Sequence, residues 1–178
     1  MTSQSIVREK IYLHSVRFFG LKKRVEKISR LIGSDVILGF NSTNTILTSK
    51  DKIKQFPNCR KIHTLIIKPN FGCSTKEVYS KVKKFNKPKL NQPNKKMFNF
   101  DFLEKMNNSL EPIVFRKYYK LRNIKLFLEN FSKPAFVRMT GSGSALVAYF
   151  ISKERCDNAK SQFNKTYKNY WCIASKTI

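Results

Sequence analysis

The stretch Met-Thr-Gly-Ser-Gly-Ser, between two apolar runs late in the chain, contains two of the six glycines of the sequence. Because glycine lacks a Cβ atom, Gly141 and Gly143 let successive backbone N–H groups point into one concavity that suits a phosphate or another anion. Hydroxyl donors are added there by Thr140, Ser142 and Ser144. A hairpin turn made of small residues is the alternative, and this short motif alone favours neither interpretation.

The apolar pattern predicts the elements that would position this loop. A strand is predicted on each side of it within 136–150, and a buried strand from Ile62 to Lys68. A helix follows with Ser74 as its N-cap and Glu77 three residues later, which is a capping-box spacing. Further helices are predicted around 100–112, 121–131 and 152–167, before a final strand in 170–178. This order resembles an α+β, ferredoxin-like split βαβ sandwich, an antiparallel sheet with helices on one face.

The first third of the chain has a different pattern. Apolar residues at helical spacing predict a helix over 21–32, ended by Gly33. The segment 43–56 predicts a strand, a turn at 49–52 and a second short strand. The helix that begins after Ser74 is predicted to extend to Phe85. The polar segment 86–96 contains two prolines and is the best candidate linker.

The formal net charge of +25 indicates either a polyanionic partner or a biased amino-acid composition. Lysine and asparagine are abundant, and the lysines are spread along the chain without a long basic block, which makes nucleic acid an unlikely partner. An RNA-binding module on a ferredoxin-like sheet remains the alternative function. The four cysteines form no CxxC pair, which predicts reduced thiols, no metal site and a cytoplasmic protein. No apolar run is long enough to cross a membrane.

Four segments resemble the motifs of the GHMP kinases in their expected order. They are LIGSDVILGF at 31–40, LIIKPNFGCSTKEVY at 65–79, NNSLEPIV at 107–114 and the MTGSGS stretch. Together they resemble the family of GHMP kinases that phosphorylates 4-diphosphocytidyl-2-C-methyl-D-erythritol. The resemblance covers 21–178 and implies the C-terminal domain of that fold, after a remnant of the N-terminal domain.

The resemblance implies a role for each matching residue. Asp35 corresponds to the catalytic aspartate, and a carboxylate can accept the proton of the substrate hydroxyl during phosphoryl transfer. Thr140, Gly141, Ser142, Gly143 and Ser144 correspond to the loop beside the ATP phosphates. Thr75 corresponds to a substrate-contacting threonine, and Tyr79 to an aromatic residue that stacks on cytosine. ATP is the implied phosphoryl donor, Mg²⁺ the implied ion, and the cytidine diphosphate methylerythritol the small-molecule substrate.

The chain also departs from the family pattern. Ile37 stands where the aspartate signature has proline, Gly39 interrupts the aromatic pair that follows, and Ser109 replaces an aspartate. The family's N-terminal phosphate loop, its lysine and its second cytosine-stacking aromatic have no counterpart here. The expected organisation is a non-family extension at 1–20, an N-terminal-domain remnant at 21–60 and the C-terminal domain at 61–178. The chain is therefore expected to be inactive alone. Two interpretations stay open: it complements a separately encoded N-terminal half, or it is the product of a decayed gene.

Overall fold

A computed structural model describes residue 28 and residues 31–32, 36–39, 43–48, 53–83 and 92–178. Labelled in chain order, the strands are β1 Asn44–Leu47, β2 Ile53–Phe56, β3 His63–Lys68, β4 Phe136–Met139, β5 Leu146–Phe150 and β6 Trp171–Lys176. The helices are α1 Val36–Gly39, α2 Thr75–Ser80, α3 Phe100–Lys105, α4 Glu111–Lys117, α5 Tyr119–Phe131 and α6 Lys153–Thr166, with a 3₁₀ turn at Lys95–Phe98.

The chain divides into two compact units. One contains Met1–Cys59, Pro88–Met97 and Ile178, and the other contains Arg60–Lys87 and Phe98–Thr177. Within the first unit, β1 and β2 form an antiparallel hairpin that aligns Asn44 with Phe56. The predicted turn between them lies outside the described residues.

The second unit is built on a four-stranded antiparallel sheet in the order β4-β5-β3-β6. Because β3 pairs with both β5 and β6, the first strand of the unit lies at the centre of its sheet. This order, with one helical connection on each side of the β4–β5 hairpin, is the split βαβ arrangement that the sequence predicts. The fold-class prediction is confirmed.

Alternation along the strands determines which residues form the core. Leu65 and Ile67 of β3 and Leu146 and Ala148 of β5 are fully buried, because side chains two residues apart point to the same face of the sheet. They pack with the buried stripes of the two long helices: Leu121, Ile124 and Leu128 of α5, and Cys156, Ala159 and Phe163 of α6. Burial of such a cluster is the main favourable term in folding.

The helices agree with the sequence predictions in their N-caps and differ from them in their bounds. Ser74 and Ser152 are N-caps as predicted, and their hydroxyls accept from the backbone N–H groups three residues later at 3.3 Å each. Helix α2 ends at Ser80, before the predicted end at Phe85. Val78 is the buried residue of this short helix. The predicted helix at 100–112 is broken between α3 and α4, where Asn108 and Pro112 start a new helix.

One further difference concerns the two faces of the sheet. The two long helices cover one face, but Phe136 and Arg138 of β4 point to the other face and contact the short helix α3. Phe136 makes an edge-to-face contact with Phe100, with centroids 6.4 Å apart, and Arg138 donates to the carbonyl of Leu103 at 2.6 Å. The second face is therefore partly covered at its β4 edge.

Residues 28, 31 and 32 have helical backbone conformation, in agreement with the helix predicted over 21–32. Their side chains are exposed, with Leu31 at 80%. Within the described part of the chain, no helix has the length and apolar character needed to cross a membrane.

Candidate functional site: a glycine loop tied to the start of a helix

Residues 140–144, here called the glycine loop, connect β4 to β5 as the sequence predicts. The loop is closed by two backbone hydrogen bonds, from the N–H of Thr140 to Ala145 and from the N–H of Gly143 to Thr140, each 2.9 Å long. Gly141 and Gly143 have φ values of +50° and +88°, in the left-handed region that glycine adopts at little cost.

The surroundings of Gly143 add a second requirement for glycine. A Cβ atom there would lie 3.0 Å from the sulfur of Met139 and 3.1 Å from the sulfur of Cys73. The loop backbone therefore lies close against the segment between β3 and α2. A Cβ at Gly141 would meet nothing within 4 Å, so only its φ angle favours glycine.

Side-chain hydrogen bonds join the loop to the segment before α2. The buried hydroxyl of Ser144 donates to the carbonyl of Phe71 at 2.6 Å, and the ammonium group of Lys68 donates to the same carbonyl at 2.9 Å. The hydroxyls of Thr75 and Ser142 lie 2.9 Å apart, within hydrogen-bonding distance. Two residues 67 positions apart, each predicted as a site residue from a different motif, are thus in direct contact.

Helix α2 presents Thr75 and Tyr79 to one region. Thr75 is the first residue of the helix, directly after its N-cap Ser74. Tyr79 lies one turn later, and half of its side chain is exposed. The ring of Tyr118 stacks on Phe71, with centroids 6.3 Å apart. The hydroxyl of Tyr118 accepts from the N–H of Ser74 at 3.4 Å and so contacts the N-cap of α2.

Two lysines act on Cys73 beside the loop: Lys68 donates to the carbonyls of Pro69 and Phe71, and Lys117 forms an ion pair with Glu77. Burial raises the pKa of the Cys73 thiol, while the positive charges of Lys68 and Lys117 act in the opposite direction. The N–H groups of Gly141, Ser142 and Ser144 have no hydrogen-bond acceptor among the residues that the structure describes. The unpaired N–H groups, with the hydroxyl of Ser142 beside them, form a small group of donors that suits an anion.

Two residues that sequence reasoning assigned no role lie directly behind the loop. The side-chain amide of Asn108 donates to the carbonyls of Met139 at 2.9 Å and Gly141 at 2.8 Å. The carboxylate of Glu111 accepts from the N–H of Met139 at 2.7 Å. Both belong to the NNSLEPIV motif, so the signal was visible in the sequence, but only the fold brings this motif to the end of β4.

The remaining predicted site residue is not placed by the structure. Asp35 lies outside the described residues, immediately before α1. Among the described residues, no group of three or more His, Cys, Asp or Glu side chains is arranged to hold a metal ion.

Comparison with known proteins gives the chain a family context. No family model matches it. A protein of Pelagibacter ubique named 4-diphosphocytidyl-2-C-methyl-D-erythritol kinase is 50% identical over 157 residues, which are 88% of this chain and 56% of that protein. A relative of the same name from Clostridium tetani is 30% identical over 169 residues, again 88% of this chain and 57% of the relative. The chain is homologous to the 4-diphosphocytidyl-2-C-methyl-D-erythritol kinases.

The chain spans just over half the length of these curated relatives, in agreement with a resemblance to only the C-terminal portion of a 4-diphosphocytidyl-2-C-methyl-D-erythritol kinase. A solved structure of 4-(cytidine 5'-diphospho)-2C-methyl-D-erythritol kinase matches with a TM-score of 0.62 at 18% identity, over 82% of this chain and 54% of that chain. This likeness shows the shared fold. The comparisons give no support to the RNA-binding alternative.

Proposed function

We propose that this chain is the C-terminal part of a kinase that transfers the γ-phosphoryl group of ATP to the C2 hydroxyl of 4-diphosphocytidyl-2-C-methyl-D-erythritol, a step of non-mevalonate isoprenoid biosynthesis. The observation that carries this proposal is the contact between Thr75 and Ser142, because it joins two motifs of the resemblance in one site. The 50% identity to a kinase of that name supports the same reaction.

In this proposal the glycine loop faces the phosphate groups. The N–H groups of Gly141 and Ser142 and the hydroxyl of Ser142 donate to phosphate oxygens, as in other anion-binding nests. The hydroxyl of Ser144 is already used in the bond to Phe71, so Ser144 contributes its backbone and the shape of the loop. Electrostatic stabilisation by fixed donors is the main protein contribution to phosphoryl transfer.

The substrate groups are assigned on the same basis. Thr75 contacts the substrate, and the exposed ring of Tyr79 stacks on cytosine, since an aromatic face needs only a flat partner. Asp35 accepts the proton of the C2 hydroxyl. The oxygen of that hydroxyl forms a bond to the γ-phosphorus of ATP, and the bond between this phosphorus and the departing ADP breaks. The described residues offer no cage of acidic ligands for Mg²⁺, so the ion fits this site only as a partner of the ATP phosphates.

We further propose that the chain works in the cytoplasm together with a separate polypeptide that supplies the N-terminal half. The organisation proposed above, with 1–20 as an extension, 21–60 as a remnant and 61–178 as the C-terminal domain, leaves the family's other phosphate loop to that partner. Phosphoryl transfer depends mostly on positioning, so a chain without this loop should show little turnover by itself.

The test is ADP release from Mg-ATP, with and without 4-diphosphocytidyl-2-C-methyl-D-erythritol. The purified chain is assayed alone and after mixing with the part of the Pelagibacter kinase that has no counterpart in this chain. We expect substrate-dependent ADP release only in the mixture, and none when the chain carries Asp35→Asn. Turnover that survives Asp35→Asn would remove Asp35 as the base, and a mixture that binds neither ATP nor substrate would overturn the proposed function.

A further inference from the structure

The last residue of β4, a strand at the edge of its sheet, is bonded along its free edge by side chains of a distant motif. The N–H of Met139 donates to one carboxylate oxygen of Glu111 at 2.7 Å, and its carbonyl accepts from the side-chain amide of Asn108 at 2.9 Å. In a β-strand these backbone groups would pair with a neighbouring strand. Here two side chains 28 and 31 residues earlier in the chain take that place.

Asn108 uses both amide hydrogens and its side-chain oxygen in this arrangement. Its two amide hydrogens go to the carbonyls of Met139 and Gly141, and its side-chain oxygen accepts from the N–H of Leu110 at 2.9 Å. The two carbonyl partners require a donor, so they define the orientation of the amide. An aspartate could keep the bond to Leu110 but would place an anion against two carbonyl oxygens.

Glu111 connects the same strand end to helix α5. One carboxylate oxygen accepts from Met139, and the other accepts from the ammonium group of Lys125 at 2.7 Å. The Glu111 side chain is 14% exposed and the Lys125 side chain 20% exposed, so the pair is largely shielded from water. A shielded, charge-assisted hydrogen bond is stronger and more directional than one at the surface.

The opposite side of the glycine loop is anchored to the segment before α2, through Ser144 and Phe71 and through Ser142 and Thr75. The loop is therefore held between two anchors that approach it from different directions. If the Asn108 and Glu111 side were removed, the loop would keep its own turn but lose the support that sets its direction towards Thr75.

We propose that Asn108 and Glu111 are positioning residues that hold the glycine loop in its anion-binding shape, with Ser142 against Thr75. The ordering of the loop is a property of this chain by itself. Its consequence for phosphate binding rests on the proposed function. The two parts therefore need separate measurements.

The first measurement is amide hydrogen exchange at Thr140 and Gly143, whose N–H groups form the loop's own hydrogen bonds. We expect Asn108→Asp to lower their protection by about tenfold or more, since two hydrogen bonds are lost. The control is Asn107→Asp, the same change at an exposed neighbour. Equal loss of protection throughout α6, or no loss at Thr140 and Gly143, would overturn the positioning role.

Two variants of Glu111 separate the effect of its hydrogen-bond acceptor from the effect of its charge. Glu111→Gln keeps an oxygen that accepts from Met139, so we expect near-normal protection of the Met139 amide. Glu111→Ala removes the acceptor, so that amide should lose protection by about tenfold. Glu104→Gln, at an exposed site, controls for the lost charge. If the glutamine and alanine variants at Glu111 behaved alike, the bond to Met139 would not be what orders the strand end.

The third measurement is the affinity of the chain for ATP, followed by NMR at Gly141 and Ser142. We expect Asn108→Asp to weaken ATP binding by about tenfold, and Asn107→Asp, with the same change in charge, to alter it by less than about twofold. Equal weakening by both variants would assign the effect to charge and overturn the positioning role in binding. If the wild-type chain binds no ATP either alone or mixed with the part of the Pelagibacter kinase that has no counterpart in this chain, the proposed phosphate role of the loop fails, while the exchange comparison still tests the positioning of the loop.

Discussion

The two glycines of the loop differ in what a side chain would meet, and that difference can be measured. Gly143→Ala would place a Cβ against the sulfurs of Met139 and Cys73 in a left-handed backbone conformation. We expect it to lower the free energy of unfolding by about 2–3 kcal/mol, through strain and overpacking together. Gly141→Ala meets only the strained φ angle and should cost about 1 kcal/mol.

Gly72 provides the matched control in the same region, because a Cβ there meets nothing within 4 Å and its φ is not left-handed. Gly72→Ala should change the free energy of unfolding by less than about 1 kcal/mol, and in the stabilising direction. Urea unfolding of the three glycine-to-alanine variants measures their free energies of unfolding and so ranks them. If Gly143→Ala proved as mild as Gly72→Ala, the close approach of the loop to Cys73 would not exist in solution.

At the scale of single residues, the sequence indicated the loop but not how it is held. Two glycines among serines indicate a tight loop, either a hairpin turn or a concavity for an anion, because that depends only on local geometry. The different roles of the two serines could not be predicted: the hydroxyl of Ser142 meets Thr75, whereas Ser144 is buried against Phe71. These contacts join segments about seventy residues apart, and only the pairing of β3 with β5 brings them together.

At the scale of elements, helix α2 depends strongly on its cap. It has six residues and one buried side chain, Val78, so tertiary packing stabilises it little. We expect Ser74→Ala to lower the free energy of unfolding by about 1 kcal/mol, and to expose the amide of Glu77 to rapid hydrogen exchange. Since Thr75 follows the cap directly, its contact with Ser142 should weaken as well.

Ser152→Ala is the comparison for that experiment, because its hydroxyl makes the same 3.3 Å capping bond but α6 has fourteen residues and three buried side chains. The free-energy cost should be similar, about 1 kcal/mol, but the loss of protection should stay within the first turn of α6. Loss of protection along the whole of α6, with none in α2, would contradict the conclusion that α2 is held mainly at its N-terminus.

The strands and the long helices were predictable because their signals are local. The run at 62–68 and the caps Ser74 and Ser152 each follow from a few neighbouring residues. The end of α2 and the break at 106–110 were not, and the break is decided by contacts from elsewhere in the chain. At the break, Asn108 gains more from Met139 and Gly141 than from continuing a helix. The apolar pattern of 100–112 does not contain that information.

At the scale of the whole molecule, exposed apolar side chains and a large positive charge act against each other. Ile28, Leu31 and Ile32 are exposed by 48%, 80% and 51%, at helical spacing. Clusters of this kind favour association with another apolar surface. The net charge of +25 opposes association of identical chains through long-range repulsion. The degree of self-association of the chain should therefore depend on ionic strength.

We expect the purified chain to be mostly monomeric at low salt and to form concentration-dependent oligomers at about 0.5 M salt, where the screening length falls to roughly 4 Å. Sedimentation velocity at several protein and salt concentrations measures this. Leu31→Gln should reduce association, because among the described residues it removes the most exposed large apolar side chain. It should leave the melting curve of the second unit, which contains the four-stranded sheet, unchanged. The control Leu126→Gln changes a leucine that is 43% exposed on α5, away from the 28–32 stretch in sequence. A sharp, cooperative melt of a monomer at every salt concentration would show that these side chains are covered in solution, and would remove this physical support for the proposed partner polypeptide.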